Sequence, residues 1–200
     1  MFPLIINLFL LNIFIKSNNG EFRGEVIYTC GLELIASSFT LYNNRGEKIY
    51  SLSEPKGNTF FISDFGVVFA TDEQGIYFYD KGGKTKELKR LNYPNGFNFS
   101  PDNSLFFASD RDGIYVFSMS GDLIYRLNPG RLFLSTETGE RIFVVSNDTL
   151  LFYKNGKLAS VKVLPTPYIR EINFTEDREG VIIRMREGVD TLFIQKELQR

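Results

Sequence analysis

The chain has 200 residues, which is enough for one domain with a substantial core and too few for two domains of ordinary size. Its apolar fraction of 43% and its charged fraction of 24% exclude a disordered polypeptide. Because 23 Lys and Arg balance 24 Asp and Glu, the chain lacks the basic surface of a nucleic-acid-binding protein, and we predict no nucleic-acid partner.

An uncharged apolar segment opens the chain. Residues 2–15 carry no charge, and the first charged side chain is Lys16. The segment is shorter than the about 20 residues of a membrane-spanning helix, but it has the length of the apolar part of a secretory signal peptide. We therefore interpret residues 1–20 as a signal peptide or a membrane anchor through residues 2–15, and residues 21–200 as the mature domain. The alternative is that the segment forms an apolar strand of the fold.

The rest of the chain has an internal repeat. Short aromatic runs alternate with turns that contain Gly, Asn and Asp, which is typical of an all-β protein. The ends of five similar runs are separated by 37, 38, 36 and 41 residues, and they fall at Tyr42, Tyr79, Phe117, Tyr153 and Ile194. A small residue in the preceding predicted strand follows the same period at Ala36, Ala70 and Ala108, with Val145 in the fourth copy. A unit of about 40 residues with four strands is a blade of a β-propeller.

The repeat predicts an all-β chain, a β-propeller of about five four-stranded units. The first unit is expected to begin near Glu25, with residues 25–30 as its first strand. The fifth unit has predicted strands at 170–174, 181–185 and 190–194, and it lacks an outer strand. Residues 190–196 are therefore expected to be a free edge, open to strand addition by a partner or a second copy.

One unit carries a recognisable motif. The third unit contains an apolar strand between two short segments, Ser100-Pro101-Asp102-Asn103 and Ser109-Asp110-Arg111-Asp112-Gly113. This pattern resembles the WD40-like repeat of TolB-type β-propellers, in which Gly usually stands at the place of Asn103. The resemblance implies a propeller, often found in exported bacterial proteins, and it does not transfer the partners of TolB.

Polar residues recur at one end of the predicted strands. Asp72 and Asp110 lie two residues after the recurring Ala, and Asn147 takes this place in the fourth unit. We interpret Asp72, Asp110, Asp112 and Asn147 as candidates for binding a cation or a basic partner at a rim. The alternative is turn formation, because Asp and Asn side chains accept backbone N–H groups in tight turns.

Composition also limits the chemistry. The chain has no His, and Cys30 is its one Cys, so Ser-His and Cys-His catalytic pairs, His-ligated metals and an intrachain disulfide are excluded. No phosphate-binding glycine loop occurs. We predict a non-enzymatic protein without cofactor or metal site. The alternative is a hydrolase of lactones or glycans with an oxygen-ligated metal.

These observations together predict a function of a general kind. We expect an exported scaffold, periplasmic or extracellular, that binds another protein or a component of the cell envelope, since propellers carry variable loops on a stiff framework. A further alternative is one part of a larger propeller that another chain completes.

Overall fold

The computed structural model describes residues 9–30, 33–130, 132–136, 138–166, 168–176, 180–186 and 188–193. These residues form β-strands joined by turns, with no helix among them. No helix in this described part is therefore long and apolar enough to cross a membrane. The strands pair in antiparallel fashion into five successive sheets, which confirms the all-β prediction.

The sheets follow one another along the chain, and neighbours within a sheet are consecutive in sequence. The first sheet contains β1 (Phe9–Lys16), β2 (Phe22–Cys30), β3 (Leu34–Asn43) and β4 (Lys48–Ser53). The second contains β5 (Thr59–Ile62), β6 (Val68–Thr71), β7 (Gly75–Tyr79) and β8 (Thr85–Arg90). The third contains β9 (Gly96–Phe99), β10 (Leu105–Asp110), β11 (Gly113–Ser118) and β12 (Leu123–Leu127). The fourth contains β13 (Leu132–Ser135), β14 (Arg141–Ser146), β15 (Thr149–Lys154) and β16 (Lys157–Val163), and the fifth contains β17 (Ile169–Phe174), β18 (Gly180–Met185) and β19 (Gly188–Phe193).

The chain divides into two compact units. The first unit comprises residues 1–92 and 119–122, and it contains the first two sheets. The second unit comprises residues 93–118 and 123–200, and it contains the other three sheets.

The core of the first unit lies between its two sheets. The rings of Phe39 and Phe60 stack across this layer with their centroids 4.9 Å apart. Gly24 permits this close approach, because a Cβ at that position would lie 2.8 Å from Cδ1 of Ile62 and 2.9 Å from Cε2 of Phe39. A side chain at residue 24 would force the two sheets apart.

The second unit repeats this arrangement twice. Phe107 of the third sheet and Phe133 of the fourth have ring centroids 5.3 Å apart, and Phe143 of the fourth and Phe174 of the fifth are 5.9 Å apart. Aromatic pairs at such distances add attraction beyond the apolar area that they bury. Aromatic side chains therefore pack between neighbouring sheets within each compact unit.

The first sheet differs from its predicted form. Residues 25–30 belong to β2, the second strand of the sheet, and Ala36 lies in β3 together with Tyr42. The prediction that the first repeat unit begins near Glu25 is therefore wrong. The reason is that residues 9–16 provide a complete partner for β2, from Phe9 opposite Cys30 to Lys16 opposite Arg23. This part of the apolar segment is a strand, as in the alternative interpretation, while cleavage of residues 1–20 stays a prediction.

The fifth sheet has the three strands expected from the sequence, β17, β18 and β19. Residues 194–196 of the predicted free edge lie outside the described residues. Strand addition at residues 190–196 stays a prediction.

Candidate functional site

A tight turn between β6 and β7 holds the first candidate residue, Asp72. Its Oδ1 atom accepts the backbone N–H groups of Gln74 at 2.8 Å and Gly75 at 2.9 Å. The hydroxyl of Tyr77 donates to the same oxygen at 3.4 Å. Asp72 therefore has a structural role in this turn, which we call the first turn (residues 72–75).

The first turn forms one wall of an open cleft with a volume of about 370 Å³. The other walls come from the residues that lead into β3 and from the residue before β5. Three carboxylates and two carboxamides line this acidic cleft, together with one apolar side chain: Glu33, Leu34, Asn58, Asp72, Glu73 and Gln74.

Asn58 connects the walls of the acidic cleft. Its backbone N–H donates to the carbonyl of Thr71 at 2.8 Å, and its own carbonyl accepts the hydroxyl of Tyr28 at 2.6 Å. Its side-chain Oδ1 accepts the backbone N–H of Ala36 at 3.2 Å. These bonds join the first and second sheets at the cleft.

The electrostatic environment at the cleft is negative. Burial is the main cause, and together with the charge and hydrogen bond of Asp72 it raises the pKa of Tyr77 to about 12. Lys56 is near, but its Nζ lies 3.8 Å from Glu87 Oε2 and 5.6 Å from the centroid of the Tyr77 ring. Within the part of the chain that the structure describes, no ion pair involves the carboxylates of the acidic cleft.

The second unit contains a turn of the same construction, the second turn (residues 110–113). Asp110 Oδ1 accepts the backbone N–H groups of Asp112 at 2.7 Å and Gly113 at 3.0 Å. The backbone N–H of Asn95 donates to the carbonyl of Ser109 at 3.0 Å, as Asn58 does to Thr71 in the first unit. The side chain of Asp110 is only 1% exposed.

Two arginines accompany the second turn. The guanidinium carbon of Arg111 lies 4.0 Å from the ring centroid of Tyr93, a cation–π distance. Arg126 donates from Nη2 to the carbonyl of Asp112 at 3.3 Å, and its guanidinium carbon lies 5.8 Å from the ring centroid of Tyr115. Burial and the nearby aspartates raise the pKa of Tyr115, and Arg126 opposes that rise. The second turn thus has its own cationic neighbours.

The four residues proposed from the sequence are distributed over three turns. Asp110 and Asp112 share the second turn, and Asp72 lies in the acidic cleft. Asn147 lies in the exposed turn between β14 and β15 with a positive φ of 55°, a conformation that Asn tolerates. In all three turns, the residue type fits the local backbone.

Sequence reasoning missed Glu33, Asn58, Glu73 and Gln74. A signal for Asn58 was present, since Asn58 and Asn95 are separated by one repeat of 37 residues. Glu33 had no such signal, because it lies between β2 and β3, and the sequence there lacks the Asp–Gly pattern of the first and second turns.

No metal centre is formed in the described residues, where no three His, Cys, Asp or Glu side chains are grouped so as to hold an ion. The acidic cleft is suited instead to a ligand group that carries positive charge and hydrogen-bond donors.

No protein-family model matches the chain, and no curated protein matches it. Among solved structures, 544 chains are similar. One is the crystal structure of a eukaryotic initiation factor, with a TM-score of 0.66 and 11% sequence identity over 93% of this chain and 52% of that chain. This chain therefore spans about half of that structure, and the likeness shows a shared fold.

Proposed function

We propose that the chain is a β-propeller-like scaffold that binds another protein without catalysing a reaction. Four successive four-stranded antiparallel sheets and a three-stranded fifth sheet support this architecture. Such a scaffold carries its specificity in the turns and loops between strands. The acidic cleft is the contact that we assign to a basic side chain of the partner.

The observation that carries the proposal is the difference between the two turns. The second turn is accompanied by Arg111 and Arg126, whereas the first turn borders an open cleft with carboxylates and carboxamides at its surface. A guanidinium or ammonium group would find acceptors on Glu33, Asp72 and Glu73. Leu34, which is 43% exposed, offers an apolar contact for the methylene stem of an Arg or Lys.

The proposal includes export and a partner in the periplasm, outside the cell or in the cell envelope. It rests on the apolar residues 2–15 and on the motif in the third repeat unit, residues 100–113, which resembles the TolB-type repeat. Intact-mass measurement of the protein recovered from culture medium, periplasm and cytoplasm tests this part. Recovery of the protein in the cytoplasm alone would overturn export and leave the binding proposal intact.

Binding is tested with a minimal basic ligand. Acetyl-Gly-Arg-Gly-amide is titrated into the ¹⁵N-labelled chain, with the citrulline peptide as the neutral analogue. We expect the amide signals of Glu73, Gln74 and Gly75 to shift with the arginine peptide and to stay in place with citrulline, because the charge supplies the attraction. Equal shifts with both peptides, or no shifts, would contradict the proposal.

A double variant links the binding to the cleft. Glu33→Gln with Glu73→Gln removes two exposed charges and keeps the size of the side chains, and we expect an affinity about tenfold lower. Glu140→Gln, in an exposed turn of the second unit, is the matched control and should bind as the unmodified chain does. An unchanged affinity in the double variant would exclude the acidic cleft.

A further inference from the structure

Strand β1 differs from the strands that begin the other four sheets. It has 8 residues, while β5, β9 and β13 have 4 each and β17 has 6. It pairs with β2 on one side, and on its other side no strand of the described residues is hydrogen-bonded to it. Natural proteins usually keep such edges short, because unpaired N–H and C=O groups attract another strand.

The side chains of β1 make this edge apolar as well as long. Leu10 is 74% exposed, Leu11 42%, Ile13 37% and Phe14 53%. Lys16, at the end of β1, is the one charged residue of the strand. An edge with these properties lacks the charges and prolines that normally prevent strand pairing.

The two faces of β1 differ in their neighbours. Leu10, Asn12 and Phe14 pair with Thr29, Ile27 and Glu25 of β2. Leu11 and Ile13 pair with the buried residues Tyr28 and Val26, on the face that carries the core. A strand added to β1 must match both faces, because side chains alternate along a strand.

A second copy of β1 provides this match when it runs antiparallel. With Asn12 opposite Asn12 of the second copy, Leu11 lies opposite Ile13 and Leu10 lies opposite Phe14, so apolar residues meet on both faces. Lys16 then lies far from Lys16 of the second copy. A parallel in-register copy would bring the two Lys16 side chains together, and like charges on neighbouring strands are unfavourable.

We propose that β1 is a dimerisation strand, which pairs antiparallel with β1 of a second copy around Asn12. The first sheets of two chains would become one continuous sheet of eight strands. Asn12 suits the centre, because one N–H of its amide donates to Glu25 Oε1 at 2.7 Å, and a carboxamide has a second N–H and a carbonyl for the facing Asn12. This inference does not depend on the acidic cleft, and it requires that the exported protein keeps residues 9–16.

Sedimentation velocity of the full chain over a range of concentrations tests the proposal. We expect a reversible dimer. Leu10→Lys should weaken it about tenfold, because the pair of Leu10 with Phe14 of the other copy occurs twice in the dimer. The matched control is Val163→Lys in β16, where the side chain is 70% exposed, and it should leave the dimer unchanged. Circular dichroism establishes that both variants fold.

Disulfide trapping tests the register. In a Cys30→Ser background, Asn12→Cys should form a disulfide-linked dimer under mild oxidation. Leu10→Cys should not, since four residues of offset separate the two cysteines by about 14 Å, beyond the reach of a disulfide.

Four results would each overturn the proposal: a monomer at every concentration, a dimer insensitive to Leu10→Lys, equal trapping at residues 10 and 12, and a mature protein that begins after residue 16.

Discussion

The first and second turns have the same hydrogen bonds to the Asp side chain and different charged neighbours. In each, an Asp side chain accepts two backbone N–H groups, and a Gly closes the turn. The residue after the Asp is Glu73 in the first turn and Arg111 in the second. The tyrosine that follows also has a different cross-strand neighbour, which is Glu87 for Tyr77 and Arg126 for Tyr115.

This comparison separates two kinds of position in the repeat. The Asp and the Gly are required by the local backbone, so they recur wherever the turn recurs. The charged positions beside them differ between the two turns, while the hydrogen bonds from the backbone to the Asp side chain are the same. A repeat motif therefore identifies the frame of a site, and the residues between its motif positions determine what the site binds.

The largest expected effect comes from removing each turn carboxylate. Asp110→Ala should lower the free energy of unfolding by about 2–3 kcal/mol, because it leaves buried N–H groups without a partner, and Asp72→Ala by about 1 kcal/mol, because water can reach the first turn. Urea denaturation measures both. Equal losses would mean that the difference in exposure between the two turns has no energetic consequence.

The next effect is a dependence on alkaline pH. The pKa of Tyr77 in the folded chain is about 12, above the ordinary value of about 10 in an unfolded chain. Its neutral form therefore contributes stability that is fully present below pH 10 and is lost as the pH rises through 12. Tyr77→Phe should reduce this alkaline loss in urea denaturation, and absorbance at 295 nm should show one fewer group that ionises near pH 12.

Tyr115→Phe is the matched variant for this measurement. Arg126 opposes the rise in the pKa of Tyr115, so we expect a smaller change in the alkaline loss than Tyr77→Phe produces. A larger change for Tyr115→Phe would contradict the assigned influence of the arginine.

The smallest effect on stability, and the most direct test of the comparison, is a charge exchange. Arg111→Glu with Arg126→Glu gives the second turn the charges of the first, and we expect stability to change by less than about 1 kcal/mol, since both side chains are exposed. The arginine peptide should then also shift amide signals of residues 110–113. Arg45→Glu, in an exposed turn of the first unit, is the control for added negative charge and should produce no shift there.

The two ends of the chain show how far sequence reasoning reaches. The strands of the fifth sheet were predictable, because turn residues separate its apolar runs. The apolar run at residues 2–15 is broken only by Pro3, Asn7 and Asn12 and has no regular alternation, and the same apolarity suits a signal segment and a strand. In the structure, residues 9–16 form a strand by pairing with β2, and apolarity alone does not encode that pairing.

By itself, the sequence determined the all-β class, the period of the repeat and the Asp–Gly turns, because these depend on residues close together in the chain. Only the tertiary structure decided which turn borders a cleft. Glu33, Asn58 and Glu73 are separated by 25 and 15 residues, and they share a surface because Asn58 is hydrogen-bonded to both Thr71 and Ala36. Contacts between separate sheets create such a surface, and local residue patterns carry no record of them.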